Sequence, residues 1–271
     1  MRCQPKSILQ VYNWLIGNQK CLLCDELADG GAPICAACER ELPWLLERCP
    51  RCALPLTGNA GAACGDCLRR APDFSRVEAP WRYAFPVDSL ITRFKHQAHW
   101  PLGRLLGELL ARHLLHAYQA DGLPRPDMLL PVPLGRRRQR QRGFNQASLL
   151  ARWLGTPLAL PVREDWLLRP RDTVAQQALD ARARQRNLRQ AFRLAPRAEV
   201  RGRHIALVDD VLTTGATCAA LARLLLDAGA ARVDVYCLAR TPKPDAANTG
   251  RATAARPANA YTPTPFRPTA I

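Results

Sequence analysis

The sequence predicts an α/β protein, an open and mostly parallel sheet preceded by a small cysteine-rich module. Three observations carry that prediction. Strand-like and helix-like segments alternate between residues 68 and 240 with short connections, a pattern that implies right-handed crossovers and a covered sheet. The run His204-Ile205-Ala206-Leu207-Val208 is almost wholly apolar, as a strand buried on both faces must be. Eight of the eleven cysteines lie between Cys21 and Cys67 as four successive C-x-x-C pairs, and this spacing sets off a module of its own.

The elements follow in chain order. Residues 1–20 read as an amphipathic opening helix, because the apolar stretch from Ser7 to Ile16 is broken by Gln10 and Asn13 and no small-residue cleavage site follows. Residues 21–70 hold the cysteine module. Within 71–240, Val77 to Phe85 reads as a strand, and Leu102 to Tyr118 repeats leucine at 102, 105, 106, 109 and 110, the spacing of one helix face. Met128 to Val132 is a short buried strand, Asn145 to Trp153 a helix, and Asp180 to Arg189 another. His204 to Val208 is the central strand, Ala216 to Leu226 a helix with Gly229 near its C-terminal end, and Arg232 to Leu238 a further strand. Residues 241–271 are rich in Pro, Ala and Thr without periodicity and read as a disordered tail.

Composition excludes some functions. Hydrophobic residues make up 48% of 271 residues, enough for a sizeable core. The most apolar stretch, Leu102 to Leu115, is interrupted by Arg104, Glu108 and Arg112, so no membrane insertion is expected. The formal charge is +16, nearly all of it from arginine, since lysine occurs only at Lys6, Lys20, Lys95 and Lys243. Two readings of that surplus stand: polyanionic partners such as nucleic acid or phosphorylated small molecules, or the compositional bias of a GC-rich genome.

Thiolates three positions apart on a tight turn can face one cation, and two such turns complete the tetrahedron that zinc accepts. The pairs Cys21/Cys24, Cys35/Cys38, Cys49/Cys52 and Cys64/Cys67 therefore predict two structural Zn²⁺ sites in a double zinc ribbon. Sequential pairing is the simplest arrangement, and spacing leaves a crossed one open. Disulfides would need an oxidising compartment, and with no export signal in view the expected location is cytoplasmic. Closed four-thiolate sites organise structure rather than perform chemistry. Cys3, Cys218 and Cys237 read as ordinary thiols, and His113 and His116 as solvated or packed side chains, since no sulfur or carboxylate completes a site beside them.

The most informative stretch runs from Ile205 to Thr217. A buried strand delivers Asp209 and Asp210 at its carboxyl end, and a turn of Thr213, Thr214 and Gly215 then enters a helix at Ala216 and Thr217. Amides at a helix N-terminus together with threonine hydroxyls can wrap a phosphate monoester, and Gly215 lets the backbone approach it. Paired carboxylates suit ribose hydroxyls or the water shell of Mg²⁺. An ATPase reading requires G-x-x-x-x-G-K-[ST], and no lysine stands in that setting.

This stretch resembles the signature of type I phosphoribosyltransferases, which bind 5-phosphoribosyl-1-pyrophosphate (PRPP). With the cysteine module ahead of it, the chain resembles the ComF family of competence-related proteins, GntX-like members included. Further matches are Pro131-Val132-Pro133, Arg142-Gly143-Phe144-Asn145-Gln146, and Thr173, Gln176, Leu179, Arg184, Asn187 and Phe192. The resemblance implies a sheet of the type I phosphoribosyltransferase kind. It implies that Asp209 and Asp210 contact the ribose hydroxyls, that Thr213, Thr214, Gly215, Ala216 and Thr217 cradle the 5′-phosphate, and that Mg²⁺ arrives with the pyrophosphate. Arg142 and Asn145 are candidates for the pyrophosphate or a second ligand, as Arg has bidentate geometry for phosphate oxygens. Lys95 is a further candidate, a solvated lysine being the alternative. Arg169 to Arg193 is either a mobile cover over the site or a fixed helix with a basic face.

Two functions follow. The first is a PRPP-binding protein that supports DNA uptake and natural transformation by handling incoming single-stranded DNA, in company with DNA-uptake proteins. Arg136, Arg137, Arg138 and Arg140 are its candidate nucleic-acid contacts. The alternative is an active phosphoribosyltransferase in nucleotide salvage, for which Asp209 and Asp210 would stabilise charge on the sugar ring. No base-recognition pocket is legible in the sequence.

Overall fold

The computed structural model describes residues 19–28, 31–56, 58, 61–170 and 191–243. Of the helix expected over 1–20, residues 1–18 lie outside the described residues, while Lys20 is not helical but bridges to Leu27; the helix expected over 180–189 and the tail beyond 243 also lie outside the described residues. The chain forms two compact units, one ending at Leu42 and the other running from Pro43 to Lys243.

The first unit carries the first two cysteine pairs. Lys20 and Leu27 bridge in antiparallel fashion around Cys21, Cys24 and the turn between them. A short helix, α1 (Ala36–Arg40), starts at Cys35, whose sulfur accepts the Cys38 N–H. Ala28, Ile34 and Leu42 are buried beneath these turns.

The second unit is built on the expected parallel sheet. Helix α2 (Gly65–Arg69) precedes strand β1 (Arg76–Glu78) and strand β2 (Trp81–Arg82). Then come α3 (Val87–Gln97), α4 (Trp100–Ala120), β3 (Met128–Pro131), α5 (Arg136–Arg142) and α6 (Gln146–Leu158). A small pair, β4 (Leu167–Leu168) and β5 (Arg193–Leu194), is followed by β6 (His204–Leu212), α7 (Ala216–Asp227) and β7 (Arg232–Arg240). The sheet order is β1-β7-β6-β3 with β2 also on β7, and every pair in it is parallel.

The single strand expected from Val77 to Phe85 is two short ones. β1 and β2 share one register on β7, with Glu78 opposite Tyr236 and Trp81 opposite Ala239. Between them stands Pro80, which has no N–H for the ladder, and beyond Arg82 the chain leaves the sheet so that Phe85 is exposed. The central strand is longer than its apolar run. β6 continues through both aspartates to Leu212, paired with Arg240.

Because side chains alternate along a strand, the sheet sorts its residues between two layers. Ile205, Leu207, Val233, Val235 and Cys237 share one core with Leu221 and Leu225 of α7. The opposite face is covered by α4 and α6, which pack on each other and on β7 and β6 respectively. Two glycines of α4 allow this close approach: a side chain at Gly103 would strike the Phe94 ring at 2.5 Å, and one at Gly107 would press on Trp153 at 3.3 Å. Gly103 thereby seats α3, the helix that carries Lys95, against the domain.

That second face also holds a buried charged network. Glu78, 1% exposed, receives Arg48 at 2.6 Å and Arg76 at 2.5 Å, with His113 Nε2 at 3.3 Å. Burial pushes the Glu78 carboxyl up, but His113, Arg48 and Arg76 outweigh it and hold the group down at about 2. His113 thus packs against a carboxylate, which corrects the expectation that none stands beside it: Glu78 is distant in sequence and is brought there by β1 packing on α4. Asp234 is also paired there, with His204 Nε2 at 2.8 Å and Arg232 Nε at 3.0 Å.

Candidate functional site

The site forms at the carboxyl edge of the sheet, where open α/β folds place their ligands. Adjacent residues on β6 face opposite layers, and this separates the two aspartates. Asp209 lies on the α7 side, in register with Cys237. Asp210, 5% exposed, lies on the other side, where its Oδ2 is 2.8 Å from Lys95 Nζ of α3. Each carboxylate also accepts the next backbone N–H, Asp209 from Asp210 at 2.9 Å and Asp210 from Val211 at 2.7 Å. Burial, followed by the charge of Asp210, raises the Asp209 carboxyl to about 8, and Lys95 only partly offsets this. The same surroundings raise the buried thiols Cys218 and Cys237, burial first and Asp209 next.

After Leu212 the chain turns through exposed Thr213 and Thr214 to Gly215, which sits at φ 75° and starts α7. That left-handed conformation is costly for any other residue. A side chain at Gly215 would also lean on Phe74, 3.6 Å away. Thr214 Oγ1 takes the Ala216 N–H at 3.3 Å, while the helix has no side-chain cap at its first residue. The amides of the first turn, Thr217 and Cys218, therefore lack intrahelical acceptors and face the loop end of the helix.

Arg240 closes the base of this loop. It is 8% exposed, and its Nη1 donates to the carbonyls of Leu212 at 3.0 Å, Thr213, and Thr241 at 2.7 Å. Its Nε donates to the Cys52 carbonyl at 3.0 Å. The sequence reading passed over Arg240, since an arginine ending a strand has no local signal that its side chain turns back beneath a neighbouring loop.

The segment after β3 lies beside β6, as expected, with the Val132 N–H bonded to Val208 O at 2.9 Å. Asn145 is occupied with the backbone: its Oδ1 accepts the Ala147 N–H at 3.1 Å and its amide donates to Val132 O at 3.0 Å. It caps α6 and ties it to the end of β3, and one amide hydrogen and one lone pair of Oδ1 are left over for a ligand. Arg142 ends α5 half-buried, and Gly143 caps that helix at φ 78°. Arg136, Arg137, Arg138 and Arg140 are exposed on α5. Phe144 follows and lies 5.7 Å from Phe94 and 6.2 Å from Trp100, a tryptophan that is 52% exposed. The stretch expected as a cover is pinned at both ends by β4 and β5, with Leu168 opposite Arg193. Residues 171–190 within it, among them Thr173, Gln176, Leu179, Arg184 and Asn187, lie outside the described residues.

The cysteines settle into sequential tetrads. Sulfurs of Cys21, Cys24, Cys35 and Cys38 lie within 4.8 Å of one another, and so do those of Cys49, Cys52, Cys64 and Cys67. Cys24 and Cys35 are 3.7 Å apart and Cys52 and Cys64 3.6 Å. Four sulfurs at the usual ~2.3 Å from zinc stand about 3.8 Å from each other, whereas a disulfide needs ~2.05 Å. The residues present therefore fit zinc. Backbone amides already point at sulfur, Leu23 N–H at Cys21 and Cys64 N–H at Cys49. Burial raises Cys21 and Cys49, yet such amide donors outweigh it and lower each thiol to about 7. Burial raises Cys52 to about 11.

Comparison with known proteins agrees with this layout. The double zinc ribbon domain family matches residues 11–68, and the phosphoribosyl transferase domain family matches residues 141–253. The DNA utilization protein YhgH of Escherichia coli K12 is 42% identical over 222 residues, covering 82% of this chain and 96% of that protein. Competence protein F of Haemophilus influenzae is 34% identical over 227 residues, covering 82% of this chain and 97% of that one. The chain belongs to the ComF family. A more distant ComF relative, competence protein ComFC of Bacillus subtilis, is 28% identical over 250 residues and covers the same share of the chain. ComF membership joins the two motifs that were read separately from the sequence, the double zinc ribbon and the phosphoribosyltransferase-type loop. Among the described residues no helix is long and apolar enough to cross a membrane.

Proposed function

We propose that this ComF protein binds PRPP with Mg²⁺ at the β6–α7 loop and handles single-stranded DNA in the cytoplasm during DNA uptake, beside other DNA-uptake proteins. One observation carries the small-ligand part: a buried strand places two carboxylates directly before a threonine loop that opens onto an uncapped helix N-terminus. The amides of Thr217 and Cys218 and the hydroxyls of Thr213, Thr214 and Thr217 would take the 5′-phosphate. Asp209 and Asp210 would take the ribose hydroxyls, and Mg²⁺ would neutralise the pyrophosphate. Arg142 would take part in holding that pyrophosphate. Lys95 keeps the charge of Asp210 neutralised until ligand arrives, and the pyrophosphate then offers it a stronger partner.

The names of the relatives support the DNA part, and the surface supports it independently. The exposed arginines of α5 run into Phe144, which leans on exposed Trp100. A basic track beside an exposed aromatic ring is what sequence-tolerant single-strand binding uses, charge following the backbone and the ring stacking on a base.

Calorimetry with PRPP and Mg²⁺ tests the loop. Wild type gives binding heat, and Asp209→Asn with Asp210→Asn removes it; unchanged heat in that variant sinks the assignment. Binding to oligo-dT over a salt series tests the surface. Changing Arg136, Arg137, Arg138 and Arg140 to Ala should flatten the salt slope, and Trp100→Ala should weaken binding about tenfold with the slope preserved. Pyrophosphate release with a panel of nucleobases decides whether the bound ligand turns over.

A further inference from the structure

We infer that the second cysteine tetrad, once it holds its metal, sets the shape of the phosphate loop, and that Arg240 is the positioning residue that links them. The inference rests on the reading of Thr213 to Thr217 as the PRPP loop.

The geometry is direct. Arg240 directs Nε to the Cys52 carbonyl and Nη1 to the carbonyls of Leu212, Thr213 and Thr241. Cys52 is a tetrad ligand, and its carbonyl orientation is set by the knuckle, in which Ala53 N–H returns to Cys49 O at 2.9 Å with Ala53 at φ 52°. Leu212 and Thr213 are the residues at which β6 becomes the loop. One planar fork thus fixes the knuckle and the loop entry together, and a fork keeps directions that a flexible ammonium does not.

A second tie runs in parallel. Lys243, three residues after Arg240, reaches Asp66 at 2.5 Å, and Asp66 lies between Cys64 and Cys67 of the same tetrad. Both knuckles therefore hold the strand exit that underlies the loop. Without metal, a four-thiolate knuckle has no cation to hold its four sulfurs around one centre. When it relaxes, the Cys52 carbonyl moves, and the buried guanidinium must find another acceptor or water. The carbonyls of Leu212 and Thr213 are the other ends of the same fork, so the loop loosens with it. The first tetrad belongs to the other compact unit and supplies an internal control.

The test uses the full chain with its zinc content measured. Wild type should hold two zinc ions. Cys67→Ser should hold one, show faster hydrogen exchange at residues 212–217, and bind PRPP at least tenfold more weakly. Cys38→Ser should also hold one zinc ion yet keep wild-type exchange and affinity at the loop. Arg240→Lys should keep both ions while loosening the loop and weakening PRPP binding, and it serves if Cys67→Ser does not fold. Wild-type exchange at 212–217 in Arg240→Lys, or in a folded Cys67→Ser, overturns the coupling. If wild type gives no PRPP heat, the ligand reading fails, while the exchange data still decide whether tetrad and loop are coupled.

Discussion

The two cysteine tetrads are spaced almost identically along the chain, yet they are embedded differently. In the first, Cys21 is buried, Cys24 is exposed and Cys35 and Cys38 are half-buried, with Ala28, Ile34 and Leu42 buried among the described residues of that unit. In the second, Cys49 and Cys64 are buried, and Leu45 and Ala53 belong to the same core cluster as the central strands. Arg48, next to Cys49, enters the Glu78 network, and Cys52 shares Arg240 with the phosphate loop. Near-equal spacing thus encodes the same four-thiolate chemistry twice, while unequal packing decides how much of the protein each metal supports.

The largest expected effect lies in metal loss. Cys49→Ser should lower stability of the 43–243 unit by ~3–5 kcal/mol, since metal binding is folding energy for such sites. Cys21→Ser should leave its unfolding midpoint in denaturant unchanged. Equal losses from both variants, in denaturation followed by the fluorescence of tryptophans in the second unit, would break the comparison.

Next in size is the charge that fastens the second ribbon to the sheet. Glu78 is held down at about 2 against an ordinary value of 4.5, so its contribution is complete above pH 4.5 and is lost as pH falls toward 2. The difference corresponds to ~3 kcal/mol. Glu78→Gln should therefore flatten the stability profile between those pH values and destabilise the fold at pH 7. An acid-unfolding curve superimposable on that of wild type would remove the network from the account.

A smaller change of opposite sign is expected at the loop. Asp209 carries a carboxyl raised from 3.8 to about 8, so the stability it contributes in the protonated form is complete below pH 3.8 and is lost as pH rises toward 8. Asp209→Asn should raise stability by ~1–2 kcal/mol near pH 8, as removal of a strained functional group commonly does. PRPP affinity of wild type should rise between pH 6.5 and 8.5 as the carboxyl ionises. Thermal melts and calorimetry at both pH values check the pair of signs.

The smallest effect concerns the exposed Lys243–Asp66 pair. Lys243→Ala should leave the melting temperature unchanged, because exposed pairs contribute little, while raising hydrogen exchange near residue 241 only slightly. A large shift there would mean that the surface tie, and not Arg240, links ribbon and loop.

Much of the fold was legible because hydrophobic period and turn residues are local. The helices at Trp100–Ala120 and Gln146–Leu158 and the strands at Met128–Pro131, His204–Leu212 and Arg232–Arg240 each carry their own pattern. Helix Val87–Gln97 escaped the sequence reading although Val87, Leu90, Ile91 and Phe94 hold a helical spacing, so the signal was present. Helix Arg136–Arg142 has no apolar face and no period to find. The interruption at Pro80 was written in the sequence too, but its effect depends on β7 running continuously alongside.

By itself the sequence determined the chemistry that sits on contiguous residues: two sets of four thiolates, paired acids at a strand end, and a Thr-Thr-Gly turn entering a helix. Such motifs specify their geometry through the few torsions between neighbouring residues. Only the tertiary structure decided that the aspartates face opposite layers toward Cys237 and Lys95, and that Trp100 joins Phe144. It also decided that a single guanidinium spans 188 residues of chain to join Cys52 to Arg240. Those partnerships arise from how packed layers bring distant segments together, and burial strengthens the polar ones at Asp210 and Arg240 by removing the water that would otherwise compete.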